Sequence, residues 1–414
     1  MRGWLRARWA RLAIFLAVMG PGVITGNVDN DANGIATYSI AGAQFGYRLL
    51  WTLMLSTVVL ALVHDMVTRM GVITGKGLAD LIRERFRVRA TVFVMTVLVL
   101  VNWGNTVGDF AGLAGAMEIF GVSRYVAVPL GAVLVWLLIV RGSYRFVERM
   151  FLGAVLMYVT YVISAALARP PWGEVLRAAV TPSLSLDRSY VVLVVGLLGT
   201  TVAPWMQFYQ QSAIVDKGLT ERDLPLARWD TYLGVVSLNL VAFFIIVACG
   251  ATLYVRGVTV TTAADAAAAL GPLAGPYAAG LFALGLLNAS LFSVAIIPLS
   301  TAYAVCEAFG WEAGLDRSPS EAPVFVGLFT GMIIASALVI LIPGVPLIPV
   351  MLLSQVLNGV LLPVVLVFLI LLTGDREIMG RFRNSRRFAA SAWILVAAMT
   401  LLSLLLIGVT VGGA

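Results

Sequence analysis

Charge is what this chain of 414 residues has least of: 12% of its residues are charged, against roughly 25% in soluble domains. With 60% apolar residues and a mean hydropathy of +0.97, the composition excludes an ordinary soluble fold. No polar tract is long enough to form a separate soluble domain. Cysteine is equally scarce. Cys249 and Cys306, both in apolar surroundings, exclude a disulfide framework and a thiolate metal site. The single histidine, His64, lies in an apolar run and reads as a packing residue. No nucleotide-binding motif is present, and neither covalent chemistry nor a cofactor is expected. A net charge of +7 fits basic cytoplasmic loops and calls for no nucleic-acid partner.

Long apolar runs take the place of charge. A bilayer span needs about 20 apolar residues. Eleven runs qualify, at about 12–42, 46–68, 90–118, 123–140, 148–168, 189–214, 231–254, 271–305, 324–343, 347–372 and 389–410. The basic, then apolar N-terminus resembles a signal peptide. It lacks a cleavage region before the next polar cluster, so it reads as a retained first span. A cytoplasmic N-terminus puts most of the 28 Lys and Arg residues on the cytoplasmic side. It leaves Arg48, Arg124, Arg169, Arg177, Arg188 and Arg256 outside, and the C-terminus outside as well. Residues 76–89 read as an amphipathic helix along the cytoplasmic surface. Residues 169–188, with Pro170, Pro171 and Trp172, read as an interfacial turn, and residues 216–230 as a charged cytoplasmic loop.

Two of the spans are interrupted. The stretch from Gly20 to Tyr47 carries Asn27, Asp29, Asn30, Asp31 and Asn33 among glycines, inside an apolar run. Charge at membrane depth is expensive and marks a path for substrate or ions. Gly and Asn accept unwound backbone, which lipid tolerates only where it lines a cavity or is covered by protein. Five spans later, Gly199, Thr200 and Thr201 precede Ala203 and Pro204, and Gln207, Gln210 and Gln211 follow. Proline removes a helix donor there. Two breaks at matching places in two five-helix halves point to an inverted-repeat transporter. Asp109 is a further carboxylate inside an apolar span, expected on a water path or opposite a positive partner. The small-residue runs 111–116 and 285–290 read as places of close helix packing.

The motifs themselves resemble the Nramp family of divalent-metal transporters over nearly the whole chain. The family's DPGN, FAT, AGA and GY elements are matched by Asp31-Ala32-Asn33-Gly34, Ile35-Ala36-Thr37 and the AGAQFGY run at 41–47. The run MGVITGKGLADLIRE at 70–84 and SQVLNGVLLP at 354–363 match further family patterns. The resemblance implies an all-α, polytopic membrane protein of LeuT type. It has two inverted five-helix repeats, at about 12–168 and 189–372, an eleventh helix at about 389–410, and discontinuous first and sixth helices in one transmembrane domain.

The departures from the family pattern are specific. Asp31 matches the family aspartate, but Gly34 stands in place of its asparagine. Ala203 and Trp205 replace the methionine and histidine of its MPH motif, a second histidine falls at Gln210 or Gln211, and Gly112 replaces a third-span glutamate. A site without a thioether is hard and all-oxygen. The expectation is therefore the magnesium-transporting branch, moving largely hydrated Mg²⁺, and also Mn²⁺, by alternating access without protons. Asp31 supplies the charge, the Thr200 carbonyl and Gln355 further contacts, and Gly34 and Ala203 room for water. A proton-coupled Mn²⁺ or Fe²⁺ transporter is the alternative. The expected partners are the metal substrate and membrane lipid, and the expected state is a multi-pass monomer of the inner or plasma membrane.

Overall fold

The computed structural model describes residues 20–141, 158–271, 275–315 and 317–412, and among them there is no strand. Lipid leaves a chain this apolar little choice, because a helix satisfies its own backbone and an open strand does not. The helices of eight or more residues are α1 Pro21–Val28, α2 Ala32–Phe45, α3 Leu50–Thr74, α4 Leu78–Arg85, α5 Val88–Ile119, α6 Arg124–Arg141, α7 Val159–Leu167 and α8 Trp172–Val180. They continue with α9 Arg188–Thr201, α10 Pro204–Asp216, α11 Leu224–Cys249, α12 Ala278–Phe309, α13 Pro323–Ile340, α14 Leu347–Gly374 and α15 Arg386–Gly412. Nine stretches among the described residues are long and apolar enough to cross a membrane, and each overlaps one of the expected spans. The start of the first span and residues 148–157 of the fifth lie outside the described residues.

The breaks divide α1 from α2 at residues 29–31 and α9 from α10 at residues 202–203. The first half of each broken helix packs against the second half of the other, α1 on α10 and α2 on α9, so the two run antiparallel. Around them, α2 is buried along almost its full length and touches α5, α9, α11, α12 and α14.

The close approach of α1 to α11 depends on missing side chains. A Cβ on Gly22 would lie 2.7 Å from the Thr231 backbone, one on Gly26 would lie 2.5 Å from the Gly234 carbonyl oxygen, and one on Gly234 would overlap the Gly22 carbonyl. At the foot of this seam the Asp230 carboxylate accepts the backbone N–H groups of Gly22 at 2.6 Å, Gly20 at 3.1 Å and Val23 at 3.3 Å. It thus caps the start of α1 from another helix, satisfying donors that α1 cannot satisfy itself.

Three connecting segments differ from expectation. The 169–188 segment is not a turn: α8 buries Val175 and Ala179, four residues apart, and Trp172 meets Phe244 edge-on. In 216–230, a Thr220–Asp223 capping box starts a short turn and α11 begins at Leu224, so Arg228 and Asp230 stand on a helix. Helix α4 does form, but Leu78, Ala79, Leu81 and Ile82 are buried under neighbouring helices. It is tied in through Arg85, which pairs with Asp375 at 2.7 Å.

The seam sets a stability prediction. Gly234→Ala drives a methyl group into the α1 backbone and is expected to cost about 1–3 kcal/mol. Gly331→Ala, on α13 with nothing within 4 Å, is expected to change stability by less than about 0.5 kcal/mol or to raise it. Thermal unfolding of the two detergent-solubilised variants distinguishes them, and equal behaviour would refute the seam.

Candidate functional site

Asp31 caps α2. Its backbone is extended (φ −69°, ψ 177°), and its Oδ1 accepts the Gly34 N–H at 2.5 Å. Oδ2 accepts from the Asn33 amide at 3.2 Å. The carboxylate is 97% buried and has no basic partner among its described contacts. A point just off the Gly34 backbone, where a Cβ would sit, lies 3.0 Å from the Asp29 carbonyl oxygen, 3.0 Å from Thr200 Oγ1 and 3.2 Å from Asp31 Oδ1. Oxygens from both broken helices therefore converge there, and Thr200 Oγ1 is buried beside the Tyr38 hydroxyl, neither of them making a well-aligned hydrogen bond.

The other groups of the two breaks are largely satisfied. Tyr158 Oη donates to the Asn30 carbonyl at 2.7 Å and Ser293 Oγ to the Val28 carbonyl at 3.2 Å. With its amide nitrogen turned towards the second break, Gln207 reaches the carbonyls of Ala203 at 2.7 Å and Pro204 at 2.8 Å. The Thr200 carbonyl has no such service four residues on, where Pro204 lacks an N–H. Buried acceptors without a donor remain at Asp29 Oδ2, Asn30 Oδ1, Asn33 Oδ1 and Asp109 Oδ2. Buried polar atoms are normally paired, so a cluster of unpaired oxygens fits a cation better than it fits a packed core.

Of the expected site residues, the structure brings Asp31, Gly34 and the Thr200 hydroxyl together. Ala203 is buried at the start of α10. Gln355 is turned into an amide network: its Oε1 accepts from Asn358 at 2.8 Å, and Asn358 and Asn105 exchange hydrogen bonds at 2.9 and 3.0 Å. That network meets the break through the Asn105 carbonyl, which accepts from Asn33. Asp109 belongs to the same cluster, 2.9 Å from the Asn33 amide. The backbone oxygen of Asp29 was not anticipated, since a carbonyl has no sequence signature. Among the described residues no three His, Cys, Asp or Glu side chains form a ready ligand set, so carbonyl, hydroxyl and amide groups must complete any coordination.

A cavity of about 350 Å³ opens beside the site, lined by Gly112, Gly115, Glu118, Arg124, Thr262 and Met351 among others. Gly112 at its floor backs directly onto Ala32. Through Gly112 the lining of this cavity is in contact with Ala32, the first residue of α2 after the break.

A family model described as "Natural resistance-associated macrophage protein-like" matches residues 22–408. The chain is 31% identical over 429 residues to the divalent metal cation transporter MntH of Ralstonia nicotianae, covering 98% of this chain and 93% of that protein. Among solved structures, a manganese transporter of Eremococcus coleocola aligns with a TM-score of 0.76 at 21% identity, over 95% of this chain and 86% of that one. Mhp1, a nucleobase-cation-symport-1 family transporter, aligns with a TM-score of 0.61 at 15% identity, over 94% and 89%. The fold is the all-α LeuT type with discontinuous helices.

The unpaired Thr200 hydroxyl yields a test that needs no transport assay. Thr200→Val removes a buried polar atom without a partner and is expected to stabilise the metal-free protein by about 1 kcal/mol, read as a higher unfolding temperature. A marked loss of stability would mean that the hydroxyl is satisfied and not held open for a ligand.

Proposed function

This chain belongs to the Nramp family, and from that premise we propose that it carries a divalent transition-metal cation, Mn²⁺ or Fe²⁺, across the membrane by proton-coupled alternating access. It is a secondary transporter and not an enzyme. The observation that carries the reading is the buried Asp31 carboxylate at the meeting point of both breaks, with the Asp29 carbonyl and Thr200 hydroxyl beside it. We assign Asp31, Thr200 and the Asp29 carbonyl to the cation's coordination sphere. Gly34 is the clearance that lets the oxygens converge, Ala203 the buried start of the second half-helix, and Gln355 a ligand that joins on release from Asn358. Asp109, joined to Asp31 through Asn33, supplies a second carboxylate for the coupled proton.

The expectation of magnesium transport without protons is corrected. The relative at 31% identity is named a divalent metal cation transporter, MntH, and some of the structures that share the fold are of a manganese transporter. The faulty step is to read a missing thioether as a preference for Mg²⁺. Carboxylate, carbonyl and hydroxyl oxygens suit Mn²⁺ as well, and Mn²⁺ keeps its place in a hard site. Nor does Gly34 open a space for several waters: the oxygens stand within 3.0 to 3.2 Å of the position its side chain would take.

The repeats proposed for this transporter are 12–168 and 189–372, with 389–410 as the extra helix. The orientation proposed has the N-terminus in the cytoplasm. Support comes from the Lys and Arg residues, most of which fall in the connections on that side. A membrane potential negative inside favours entry of a doubly charged ion by about 4.6 kcal/mol per 100 mV, and each coupled proton adds to that drive.

Proteoliposomes with a luminal pH dye test the proposal. Mn²⁺ uptake is expected to acidify the lumen with the voltage clamped, and Mg²⁺ in excess is expected to compete poorly. Asp31→Ala, in a monodisperse preparation, is expected to lower Mn²⁺ uptake by more than about tenfold, the size expected for loss of a charged contact. Mg²⁺ uptake without proton movement, alongside no Mn²⁺ uptake, would overturn the reading.

A further inference from the structure

Asn33 stands where the family pattern has glycine, and its side chain is oversubscribed. An amide nitrogen has two hydrogens, yet Asn33 Nδ2 lies within bonding distance of three acceptors: Asp109 Oδ1 at 2.9 Å, the Asn105 carbonyl at 3.1 Å and Asp31 Oδ2 at 3.2 Å. Turned round, the amide would point its oxygen at the Asn105 carbonyl and at the Asp31 and Asp109 carboxylates, which accept when ionised. In the orientation it has, Asn33 Oδ1 is buried without a donor and lies against Gly108. A Cβ on Gly108 would overlap that oxygen, so the glycine on α5 is what admits the amide.

We propose that Asn33 is a positioning residue that reports occupancy of the cation site to α5. The inference rests on the assignment of Asp31 as a metal ligand. With the site empty, Asp31 and the two α5 acceptors compete for two hydrogens, and the first break is held loosely between them. A cation on Asp31 neutralises the carboxylate and weakens its demand on the amide. Both hydrogens then settle on Asp109 and the Asn105 carbonyl, and the start of α2 is drawn onto α5. The tie extends further, because Asn105 is joined to Asn358 on α14 by their exchanged hydrogen bonds. Filling the site thus tightens the contact between the broken helix and two neighbouring spans at the moment the ion must be enclosed. Asp31 is also held by the Gly34 N–H, independently of Asn33, so on this proposal cation binding itself does not depend on Asn33.

The separation of binding from transport is what the experiment reads. Asn33→Leu keeps the branching of the side chain and removes the amide; Asn33→Ala removes both. In each, the KM for Mn²⁺ in proteoliposomes is expected to stay within about threefold of the parent while Vmax falls by about tenfold, the size of a lost hydrogen bond to a charged group. Mn²⁺ should still raise the unfolding temperature of both variants, since the bound state is intact. Gly108→Ala, which displaces the amide from the other side, should give the same split. The double variant Gly108→Ala with Asn33→Ala should be no worse than Asn33→Ala alone, because the three atoms nearest the new methyl group all belong to the amide that Asn33→Ala removes.

A raised KM at unchanged Vmax would make Asn33 a binding group and overturn the proposal. Unchanged kinetics, or additive losses in the double variant, would overturn it as well. If Asn33→Leu aggregates, the comparison of Gly108→Ala with the double variant decides the matter by the same criteria. Failure of the parent protein to take up Mn²⁺ would instead sink the transport assignment beneath it, and the two failures are told apart by the parent control.

Discussion

A helix interrupted at membrane depth leaves backbone groups that lipid cannot satisfy, and every feature around the two breaks follows from that demand. At the first break the chain solves it locally: Asp31 closes the start of α2 by accepting the Gly34 N–H. Its neighbours solve it from a distance, with Tyr158 on the Asn30 carbonyl and Ser293 on the Val28 carbonyl. The lower end of α1 is served by Asp230, on α11. Once these demands are met, what remains unsatisfied includes side-chain oxygens of Asp29, Asn30, Asn33 and Thr200. The property that makes the fold possible there is the same one that makes a cation welcome.

Close approach of backbones is the second condition. Gly22, Gly26 and Gly234 let α1 lie flush on α11, and Gly34 lets the Asp29 carbonyl, Thr200 and Asp31 share one point. Gly108 and Gly112 do the same for the α2–α5 contact, where Asn33 and Ala32 occupy the space that side chains would fill. The site is thus shaped as much by absent side chains as by present ones. The cavity lined by Gly112 and Met351 lies on the far side of the Gly112–Ala32 contact from the break.

Much of this was legible in the sequence because its causes are local. Pro204 and the Asn-, Asp- and Gly-rich run at 20–34 mark the breaks through backbone chemistry that neighbouring residues suffice to express. The nine described spans were legible as apolar runs. Asp230 was hidden because its partners lie more than 200 positions away. Helix α8 was hidden because Pro170 and Pro171 read as a turn, whereas the burial of Val175 and Ala179 depends on helices supplied from elsewhere. The direction in which Gln355 points was likewise set by Asn358 and Asn105 and not by its own neighbours. The choice of metal failed for a different reason. A missing methionine says which ligand is absent, while the ligands present include carbonyls that every residue possesses.

The central claim is that the cation sits at the junction of the two breaks, on Asp31. Anomalous scattering from crystals grown with Mn²⁺ tests it most directly. The account predicts one strong peak within about 2.5 Å of an Asp31 carboxylate oxygen, with the Asp29 carbonyl or the Thr200 hydroxyl in the same coordination sphere. A peak confined to the outer cavity by Glu118, with Asp31 still bonded only to Gly34 and Asn33 in protein saturated with Mn²⁺, would contradict it.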